Sequence, residues 1–441
     1  MNGRNGEPGG SGEPLETGEA LEPGEALEPG ERRIGTREAA RLLGVKPSTV
    51  YAYVSRGQLT SRRDPVGRSS SFDAREVEAL ALRSRREAAG PSASTASAGE
   101  LSVRTALTLI ESDRYYFRGV DAVELASRHP YEEVAEWLWT GTLVRGARFT
   151  APPESLAAAR RAVAALPEHS GPIDRLRVAV AAAAVADPLR FDLSAPSVLG
   201  SARSLIPTLV GALPEVGPAQ WGGDGRLTRQ LWPRLSALDP DPDALAVLDL
   251  ALALLTDHDL AASTLAVRVA ASARAHPYAV VSAGLGALEG PLHGAAGRLA
   301  HRMLVEVLER GGAAPVVAEY LRAGRRVPGL GHRLYAGEDP RATALFARLE
   351  PLAQAGPALG AAREVAGVMA RHGRGLHPNV DLALAVLTVS CGMAPEAGET
   401  VFAVARTAGW IAHALEEYGE RPLRMRPSGQ YHGPRPPQPL P

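Results

Sequence analysis

The chain has 441 residues, of which 45% are hydrophobic and 22% are charged, and its formal net charge is −1. This length allows about two to four domains with a large core, and the balanced charge gives no global indication of nucleic-acid or membrane binding. A single cysteine, Cys391, excludes an internal disulfide framework. Because no apolar run reaches the roughly 18 residues of a membrane span and the N-terminus lacks a signal-peptide apolar region, we expect a cytoplasmic protein.

Residues 1–31 are predicted to form a disordered acidic tail. They contain eight Glu and one Arg, and the hexapeptide GEALEP occurs twice in succession. Gly and Pro at this density, with almost no bulky apolar residues, cannot form a packed core. The alternative is a tail that folds over the basic segment after it and inhibits that segment.

Residues 32–86 are basic and have the pattern of a winged helix-turn-helix domain. Thirteen Arg and Lys against five Asp and Glu give them a local charge of +8. We expect Thr36 to cap a first helix, Gly44 and Val45 to form the turn, and Pro47 to begin the second helix. A third helix is then expected over Ala74–Arg83, with a capping box formed by Asp73 and Glu76.

This segment resembles the winged helix-turn-helix of excisionase and MerR-type DNA-binding domains. The resemblance implies that the second helix faces the major groove and that arginines of a wing-like hairpin hold phosphates. The residues concerned are Ser48, Thr49, Tyr51, Arg62, Arg63 and Arg68. Because the helix STVYAYV has no Arg, Asn or Gln to read a base edge, we expect DNA binding driven by the backbone. The alternative is a domain that only aids assembly.

Residues 87–102 are a predicted Gly/Ser/Ala linker, and residues 103–441 are predicted to be helical nearly everywhere. Amphipathic Ala/Leu/Val segments are separated by Pro and Gly clusters, and strand-like alternation is scarce. The clearest predicted helices are Tyr131–Trp139, Ser155–Leu166, Asp174–Ala186, Ala244–Thr256, Ala261–Arg274 and Val401–Glu417. An all-α fold is therefore expected.

Several polar residues of this region are placed where they could carry chemistry. His293, in GPLHGAA, precedes a helical pattern, and a helix N-terminus favours a neutral imidazole that can stabilise an enolate. Asp339-Pro340-Arg341 is typical of a helix start and could bind a carboxylate. His332 lies on a flexible Gly-containing turn, and Asp381 begins an apolar helix. The alternatives are a loop histidine, an ordinary capped helix, and an N-cap at Asp381.

Five blocks, in this order, resemble the signature blocks of the citrate synthase family: DHDLAAST, GALEGPLHGAA, VPGLGHRLYAGEDPRA, HPNVD and FAVARTAGWIAH. Upstream, Tyr116–Asp121 resembles the YRG element of that family, and the match extends from Val103 to Gly433. The resemblance implies a large helical domain and a small one, near residues 297–395, which closes on it. It also implies a homodimer.

The family resemblance further implies an acyltransferase of the tricarboxylic acid cycle, which condenses acetyl-CoA with oxaloacetate and hydrolyses the thioester to citrate and CoA. Asp381 would remove a methyl proton, His293 would stabilise the enol, and His332 would protonate the oxaloacetate carbonyl. The implied oxaloacetate-binding residues are His258, Arg341, Arg406 and, in the neighbouring subunit's site, Arg426. Arg325 and Arg326 are expected to hold the CoA phosphates. No cofactor is implied, and no metal-ligand spacing is present.

The chain also departs from the family pattern beside the predicted site. Leu382 replaces an aromatic residue, Gly297 and Arg298 replace Asn and Glu, and Ala261 replaces Asn; Ala295 also differs. An aromatic-to-aliphatic change could enlarge the acyl pocket, which leaves a 2-methylcitrate synthase using propionyl-CoA as one alternative. The other is a DNA-binding regulator whose catalytically weak second domain senses these ligands.

Overall fold

The computed structural model describes residues 33–43, 45–55, 59–63, 70–74, 76–77, 80, 103–218, 225–290, 293–294, 296–372, 376–426, 432–435 and 438. The chain divides into two compact units, Met1–Ser102 and Val103–Pro441. The predicted acidic tail lies outside the described residues, as do Arg68 of the predicted wing and the whole predicted linker, residues 87–102.

The first unit has a helix-turn-helix followed by a three-stranded antiparallel sheet. Its helices are α1 (Thr36–Leu43) and α2 (Pro47–Ser55), and its strands are β1 (Arg33–Gly35), β2 (Ser61–Arg63) and β3 (Ser70–Asp73). The strand order is β1-β3-β2. Val45 N donates to Ala40 O at 3.0 Å and closes the turn between the helices. Apolar residues of both helices and the sheet form a small separate core, which includes Ile34, Ala39, Val50 and Phe72.

Two of the predicted helix caps in this unit have other roles. Thr36 is the first residue of α1, and its hydroxyl contacts the Tyr51 hydroxyl at 3.2 Å. Glu76 accepts from both the backbone N and the hydroxyl of Thr60, at 3.0 and 3.1 Å. The contact with the segment before β2 therefore engages both oxygens of Glu76, the residue predicted to form a capping box with Asp73.

The second unit begins with a small sheet and is otherwise helical. The sheet consists of β4 (Thr108–Glu111), β5 (Arg114–Phe117) and β6 (Val120–Asp121) in antiparallel order. Left-handed Ser112 and Asp113, with φ of 51° and 58°, form the turn between β4 and β5. Asp113 then accepts a hydrogen bond from Ala336 N at 3.0 Å, which connects this turn to the loop that follows His332.

The helices of the second unit follow from its Ala/Leu/Val periodicity. They are α3 (Ala122–Arg128), α4 (Tyr131–Thr140), α5 (Pro153–Ala164), α6 (Pro172–Ala186), α7 (Ala195–Ala212), α8 (Leu227–Leu235), α9 (Pro242–Leu255), α10 (Ala262–Ser272), α11 (Pro277–Leu288), α12 (Ala296–Arg310), α13 (Ala313–Arg322), α14 (Pro340–Leu349), α15 (Gly356–Arg371), α16 (Val380–Ser390) and α17 (Ala397–Gly419), with a short 3₁₀ turn at Ala353–Ala355. Pro153, Pro172, Pro242 and Pro340 lie in first turns, where a missing N–H costs nothing.

Three helices are buried on almost every face and form the centre of the unit: α9, α16 and α17. A helix that is apolar all round must be surrounded by protein. Glycine allows the closest approach, since a Cβ on Gly409 of α17 would collide with the Thr256 carbonyl just after α9. The end of α9 and the middle of α17 are thereby held together, and both carry polar residues of the site.

Helices α12 to α16 pack on one another, and α14 also contacts α3 and α9. These five helices occupy the part of the sequence where the small domain was expected. The second unit is predominantly α-helical, which confirms the expected fold class. Among the described residues, no helix is long and apolar enough to span a membrane. Cys391 is buried, and burial raises the pKa of its thiol to about 12.

Candidate active site

A cavity of about 410 Å³ collects residues from all five sequence blocks. His258 follows α9, His293 precedes α12, and His332 precedes α14. Its polar lining also includes the buried Arg341 and Arg406 and the carboxylate of Asp381, together with Asp259 and Arg333. Six of the seven residues predicted to bind substrate or act in catalysis therefore line one cavity.

Arg341 is held rigidly by its own helix cap. Asp339 is the N-cap of α14 and accepts from Arg341 N at 3.0 Å. Its two carboxylate oxygens also accept from Arg341 Nε and Nη2, at 2.9 and 2.8 Å, and Val380 N of α16 donates to it at 3.0 Å. Both residues are almost fully buried. Burial alone would lower the pKa of Arg341, but Asp339 raises it, so the guanidinium remains a fixed positive charge.

Arg406, on α17, is buried but has a different environment. Its Nε donates to Leu255 O at 2.9 Å, and its guanidinium lies 4.7 Å from the centre of the Phe402 ring. Burial, followed by repulsion from Arg341, lowers its pKa to about 10 although Asp257 acts in the opposite direction. Within the described part of the chain, no ion pair between Arg406 and a carboxylate is found. A carboxylate ligand would therefore relieve the cost of burying this charge.

His258 is buried and bound to a tyrosine. Its Nε2 lies 2.7 Å from the hydroxyl of Tyr335, which is 4% exposed. Burial, then the charges of Arg341 and Arg406, lowers the pKa of His258 well below its usual value, so this imidazole is neutral. The ring of His332 lies 4.8 Å from that of Tyr335. Tyr335 thus links two of the site histidines.

Asp257, the residue before His258, has contacts that hold this part of the backbone in place. Asp257 is fully buried and accepts from Thr108 Oγ1 of β4 at 2.5 Å. His413 of α17 lies 3.3 Å from the same carboxylate. Burial tends to raise the pKa of Asp257, but His413 and Arg406 lower it overall, so it remains ionised. The sheet, α9 and α17 therefore meet at this carboxylate.

His293 is half-buried and is oriented by a serine. Ser263 Oγ of α10 lies 2.8 Å from His293 Nε2, and Trp410 Nε1 of α17 donates to the same hydroxyl at 3.4 Å. Burial, then Arg406, lowers the pKa of His293. The imidazole is therefore neutral near pH 7, as the sequence position at a helix start also suggests.

The loop that carries His332 is held in place by backbone contacts. Gly331 N donates to His377 O at 2.7 Å, and Asn379 N donates to Gly329 O at 3.0 Å. Gly329 is left-handed, and a Cβ there would lie 2.7 Å from that of Leu382. The glycines thus allow the turn to approach α16 closely, and the two backbone hydrogen bonds connect it to the segment just before that helix. Burial, then Arg341, lowers the pKa of His332 to about 4.

Asp381 lies in the first turn of α16, and it is not the helix cap. Asn379 is the N-cap, and its side chain accepts from Asp381 N at 3.0 Å. The Asp381 side chain is directed to the cavity instead. Burial raises its pKa from 3.8 to about 6, although Arg341 acts in the opposite direction. A carboxylate with a pKa near 6 is a stronger base than an ordinary aspartate and is still mostly ionised at pH 7.

Three of the other predicted ligand-binding residues do not line the cavity. Arg426 is exposed, and Arg325 and Arg326 are exposed near the start of the loop after α13. The guanidinium of Arg325 lies 4.5 Å from the ring of Tyr320. A role of Arg426 in the site therefore requires a second subunit, and a role of the other two requires a ligand that extends out of the cavity.

The departures from the family pattern are distributed unevenly around the cavity. Gly297 and Ala261 line it, and a Cβ on Gly297 would lie 3.8 Å from Asp381 Oδ1. Leu382 is fully buried and lies against Gly329, so it does not line the cavity, whereas Leu384 does. Of the two leucines that follow Asp381, Leu384 therefore borders this cavity and Leu382 does not. Ala295 lies outside the described residues.

Sequence reasoning missed three residues that shape the site: Ser263, Tyr335 and Phe402. Each lies within one of the quoted blocks, three to five residues from a predicted residue. Their closeness to predicted site residues could be read from the sequence. Their contacts could not, because these depend on packing between helices that are distant in sequence. No group of three or more His, Cys, Asp or Glu that could hold a metal ion is found among the described residues.

In the first unit, Ser48 and Tyr51 of α2 are exposed and Thr49 is partly exposed. Arg62 of β2 is also exposed, and Arg63 belongs to the same strand. Tyr51 is 48% exposed, and its hydroxyl lies 3.2 Å from that of Thr36. These residues therefore provide a polar and aromatic surface on the second helix and the adjacent strand.

Comparisons with known proteins agree with this division. The family model described as "Citrate synthase, C-terminal domain" matches residues 96–428, and the helix-turn-helix domain model matches residues 34–85. The citrate synthase of Haloferax volcanii is 31% identical over 76% of this chain and 94% of its own length.

Solved structures show the same fold. The citrate synthase of Pyrobaculum aerophilum has a TM-score of 0.65 and 27% identity, covering 77% of this chain and 92% of its own. The citrate synthase of Thermoplasma acidophilum, solved in a ternary complex with carboxymethyl coenzyme A and oxaloacetate, has a TM-score of 0.60 and 24% identity. It covers 77% of this chain and 96% of its own.

Proposed function

We propose that this chain, which belongs to the citrate synthase family and thus to the acyltransferases, condenses acetyl-CoA with oxaloacetate and hydrolyses the product thioester to citrate and CoA. One observation carries the proposal: a carboxylate with a raised pKa shares a cavity with two buried arginines and three neutral histidines. This set is suited to removing a weakly acidic proton next to a bound dicarboxylate. Citrate synthases need no cofactor, and acetyl-CoA is a substrate here.

Oxaloacetate binds first in this proposal, and the arginines hold its carboxylates. Arg341 is a fixed, bidentate-bound cation, and Arg406 gains a counter-charge that its burial favours. His258 contributes a neutral hydrogen bond. Bound dianion would raise the low pKa of His332, because two negative charges enter its surroundings. His332 can then supply a proton to the carbonyl oxygen as the new bond forms.

Enolisation of the acetyl group follows at the other end of the cavity. Asp381 takes a proton from the methyl carbon, and the enolate oxygen accepts a hydrogen bond from His293. If Trp410 donates to Ser263, the serine hydroxyl can donate to His293 Nε2, which leaves the ring proton on Nδ1. The enol carbon then attacks the ketone carbon of oxaloacetate, and water hydrolyses the citryl thioester.

We further propose that helices α12 to α16, near residues 297–395, close on the rest of the unit and that Arg426 acts in the site of a partner subunit. The cavity lining is divided between the segment that follows α9, α17 and the α12–α16 segment. A bound ligand would therefore contact both sides, which supports closure. The exposed position of Arg426, away from its own cavity, supports a role across a dimer interface.

The test is thiol release from acetyl-CoA and from propionyl-CoA, each with and without oxaloacetate. Release that depends on oxaloacetate and is faster with acetyl-CoA supports the proposal. Preference for propionyl-CoA would make the chain a 2-methylcitrate synthase, a candidate that the absence of a side chain at Gly297 in the cavity lining favours. No release with either thioester, despite tight oxaloacetate binding, would instead indicate a sensor domain.

As a second function, we propose that residues 32–86 bind duplex DNA mainly through phosphates. The exposed Tyr51, Ser48 and Arg62 and the local charge of +8 support this proposal. The full chain is expected to bind DNA with a steep salt dependence. The Arg62→Gln variant should lower the slope of log K against log salt by about one, whereas Arg161→Gln, an exposed arginine of α5, should not. DNA binding that does not depend on salt, or no DNA binding at low salt, would contradict this proposal.

A further inference from the structure

The turn of the β4–β5 hairpin has a backbone conformation that is unfavourable for its own residues. Glu111 and Arg114 are directly paired, so only Ser112 and Asp113 form the turn, and both are left-handed, with φ of 51° and 58°. Two-residue turns of this kind favour Asn followed by Gly, because glycine adopts a positive φ without a steric cost. An aspartate at the second position costs stability, and residues held in such backbones often serve a function.

The side chain of Asp113 contacts the loop between His332 and Asp339. Its Oδ1 accepts a hydrogen bond from Ala336 N at 3.0 Å. A Cβ on Gly337 would lie 2.9 Å from Oδ2, so the backbone at this glycine lies directly against the carboxylate. Glycine at position 113 would relieve the backbone of the turn, but it would remove this contact. The turn therefore retains a residue that is unfavourable for its backbone and favourable for its contact with the loop.

That loop carries two side chains of the active site. His332 lines the cavity, and the hydroxyl of Tyr335 lies 2.7 Å from His258 Nε2. Leu334 N donates to His332 Nδ1 at 3.1 Å, so the neutral imidazole has its proton on Nε2. Both rings depend on the backbone between residues 332 and 336. A shift of this backbone would therefore change the orientation of both side chains.

The strands of the hairpin are attached to the segment that carries His258. Thr108 Oγ1 of β4 donates to the buried Asp257. The hydroxyl of Tyr115 in β5 donates to Leu254 O at 3.2 Å, and the tyrosine itself is buried. Two strands thus hold the hairpin against the end of α9. The tip of the hairpin is thereby fixed where it meets the loop.

The hairpin therefore joins two segments of the site that are distant in sequence. Its strands hold the segment of His258, and its tip holds the loop of His332. The hydrogen bond between Tyr335 and His258 connects the same two segments inside the protein. A loop that is held in place before the ligand arrives does not have to be ordered on binding, and this preserves affinity.

We propose that Asp113 is a positioning residue for oxaloacetate. Its contact with the loop holds His332 and Tyr335 in place before the ligand binds. Asp113 is exposed and does not line the cavity, so it acts only through the loop. This inference rests on the proposed condensation and concerns its dicarboxylate substrate. The acyl end of the cavity, at Asp381, should be affected less.

Two glycine substitutions in the same turn of the full chain, Asp113→Gly and the matched control Ser112→Gly, separate this role from hairpin stability. Each gives a left-handed position a residue that it favours, so both variants should unfold at the urea concentration of the wild type or at a higher one. Only Asp113→Gly should raise the KM for oxaloacetate, by about three- to tenfold for the loss of one hydrogen bond. The kcat and the KM for acetyl-CoA should change less. Asp113→Asn keeps an acceptor oxygen and tolerates the left-handed backbone, so it should retain most of the wild-type affinity.

Two further readouts do not depend on turnover. Calorimetry gives the affinity for oxaloacetate, and hydrogen exchange detected by mass spectrometry should show faster exchange of residues 333–338 in Asp113→Gly alone. Unchanged oxaloacetate affinity in Asp113→Gly would overturn the proposal, even if the loop exchanges faster. An equal loss of affinity in Ser112→Gly would also overturn it, because the whole turn would then be responsible. If the wild type binds oxaloacetate but does not condense it, the proposed function fails and calorimetry still decides this inference. If the wild type does not bind oxaloacetate, both fail.

Discussion

Replacing Asp381 by Asn is expected to lower activity and raise stability, because catalysis and folding depend on this carboxylate in opposite ways. Asn has the same shape and keeps the backbone contact with Asn379, but it cannot accept a proton. A general base typically contributes about 10²–10⁴-fold, so kcat should fall by about a thousandfold. Oxaloacetate should bind with nearly unchanged affinity, since Arg341 and Arg406 hold it.

The stability change follows from the pKa. Burial raises the pKa of Asp381 from 3.8 to about 6, so folding favours the protonated form. The protonated carboxyl therefore contributes stability to the fold, and this contribution is fully present below about pH 3.8 and is lost as pH rises through about 6. At pH 7 the ionised carboxylate destabilises the fold by at most about 3 kcal/mol. Since solvent screening reduces this value, the Asn variant should be more stable by about 1–3 kcal/mol at pH 7 and by little near pH 4.

The assay is urea unfolding at pH 7 and pH 4 at one protein concentration, together with thiol release and oxaloacetate titration. In the wild type, kcat/KM should decrease as pH falls through about 6, because the base becomes protonated. The control Asp239→Asn, an exposed carboxylate before α9, should change neither quantity. A variant that is destabilised at pH 7, or that loses oxaloacetate binding in parallel with turnover, would refute the reasoning and make Asp381 structural.

Other expectations concern the surroundings of the site. Tyr335→Phe removes the 2.7 Å hydrogen bond to His258, so the KM for oxaloacetate should rise about tenfold with a smaller change in kcat; an unchanged KM would exclude a positioning role. If Arg426 acts in the site of a partner subunit, Arg426→Ala should weaken oxaloacetate binding without dissociating the subunits. Mixing this variant with His293→Ala should restore part of the activity once subunits exchange, because a mixed dimer would contain one complete site. Oxaloacetate should tighten the binding of a CoA analogue, and the CoA analogue should tighten the binding of oxaloacetate, because closure brings both sites together. Independent affinities in calorimetry would contradict closure.

The helical fold could be predicted because its signals are local. Apolar periodicity and first-turn prolines indicated α5, α6 and α9 to within two residues of their observed ends. The β4–β5–β6 sheet was not anticipated, since its strands are short and its hairpin turn uses Ser112 and Asp113 with left-handed backbones, which the sequence does not mark.

The membership of the site was predictable, but its internal connections were not. Histidines and arginines in the five blocks share one cavity, which the order of the blocks implied. The tyrosine that binds His258 and the serine that binds His293 depend on how α10, α14 and α17 pack. The role of Asn379 as the cap was also hidden, because Asn and Asp two residues apart are both good N-caps, and only the backbone geometry distinguishes them.

The residue at position 297 affects both the acyl groups that this site accepts and the pKa of its base, Asp381. A side chain at position 297 would begin 3.8 Å from Asp381 Oδ1, where the family pattern has an asparagine. An amide there could donate a hydrogen bond to the carboxylate, and such a bond lowers the pKa of an acid. With glycine no such hydrogen bond is possible, and burial raises the pKa of Asp381 to about 6; the missing side chain also leaves more of the cavity to the acyl group. The gain for a longer acyl chain is about 1–3 kcal/mol, which is enough to shift preference between acetyl-CoA and propionyl-CoA without any change in the catalytic residues.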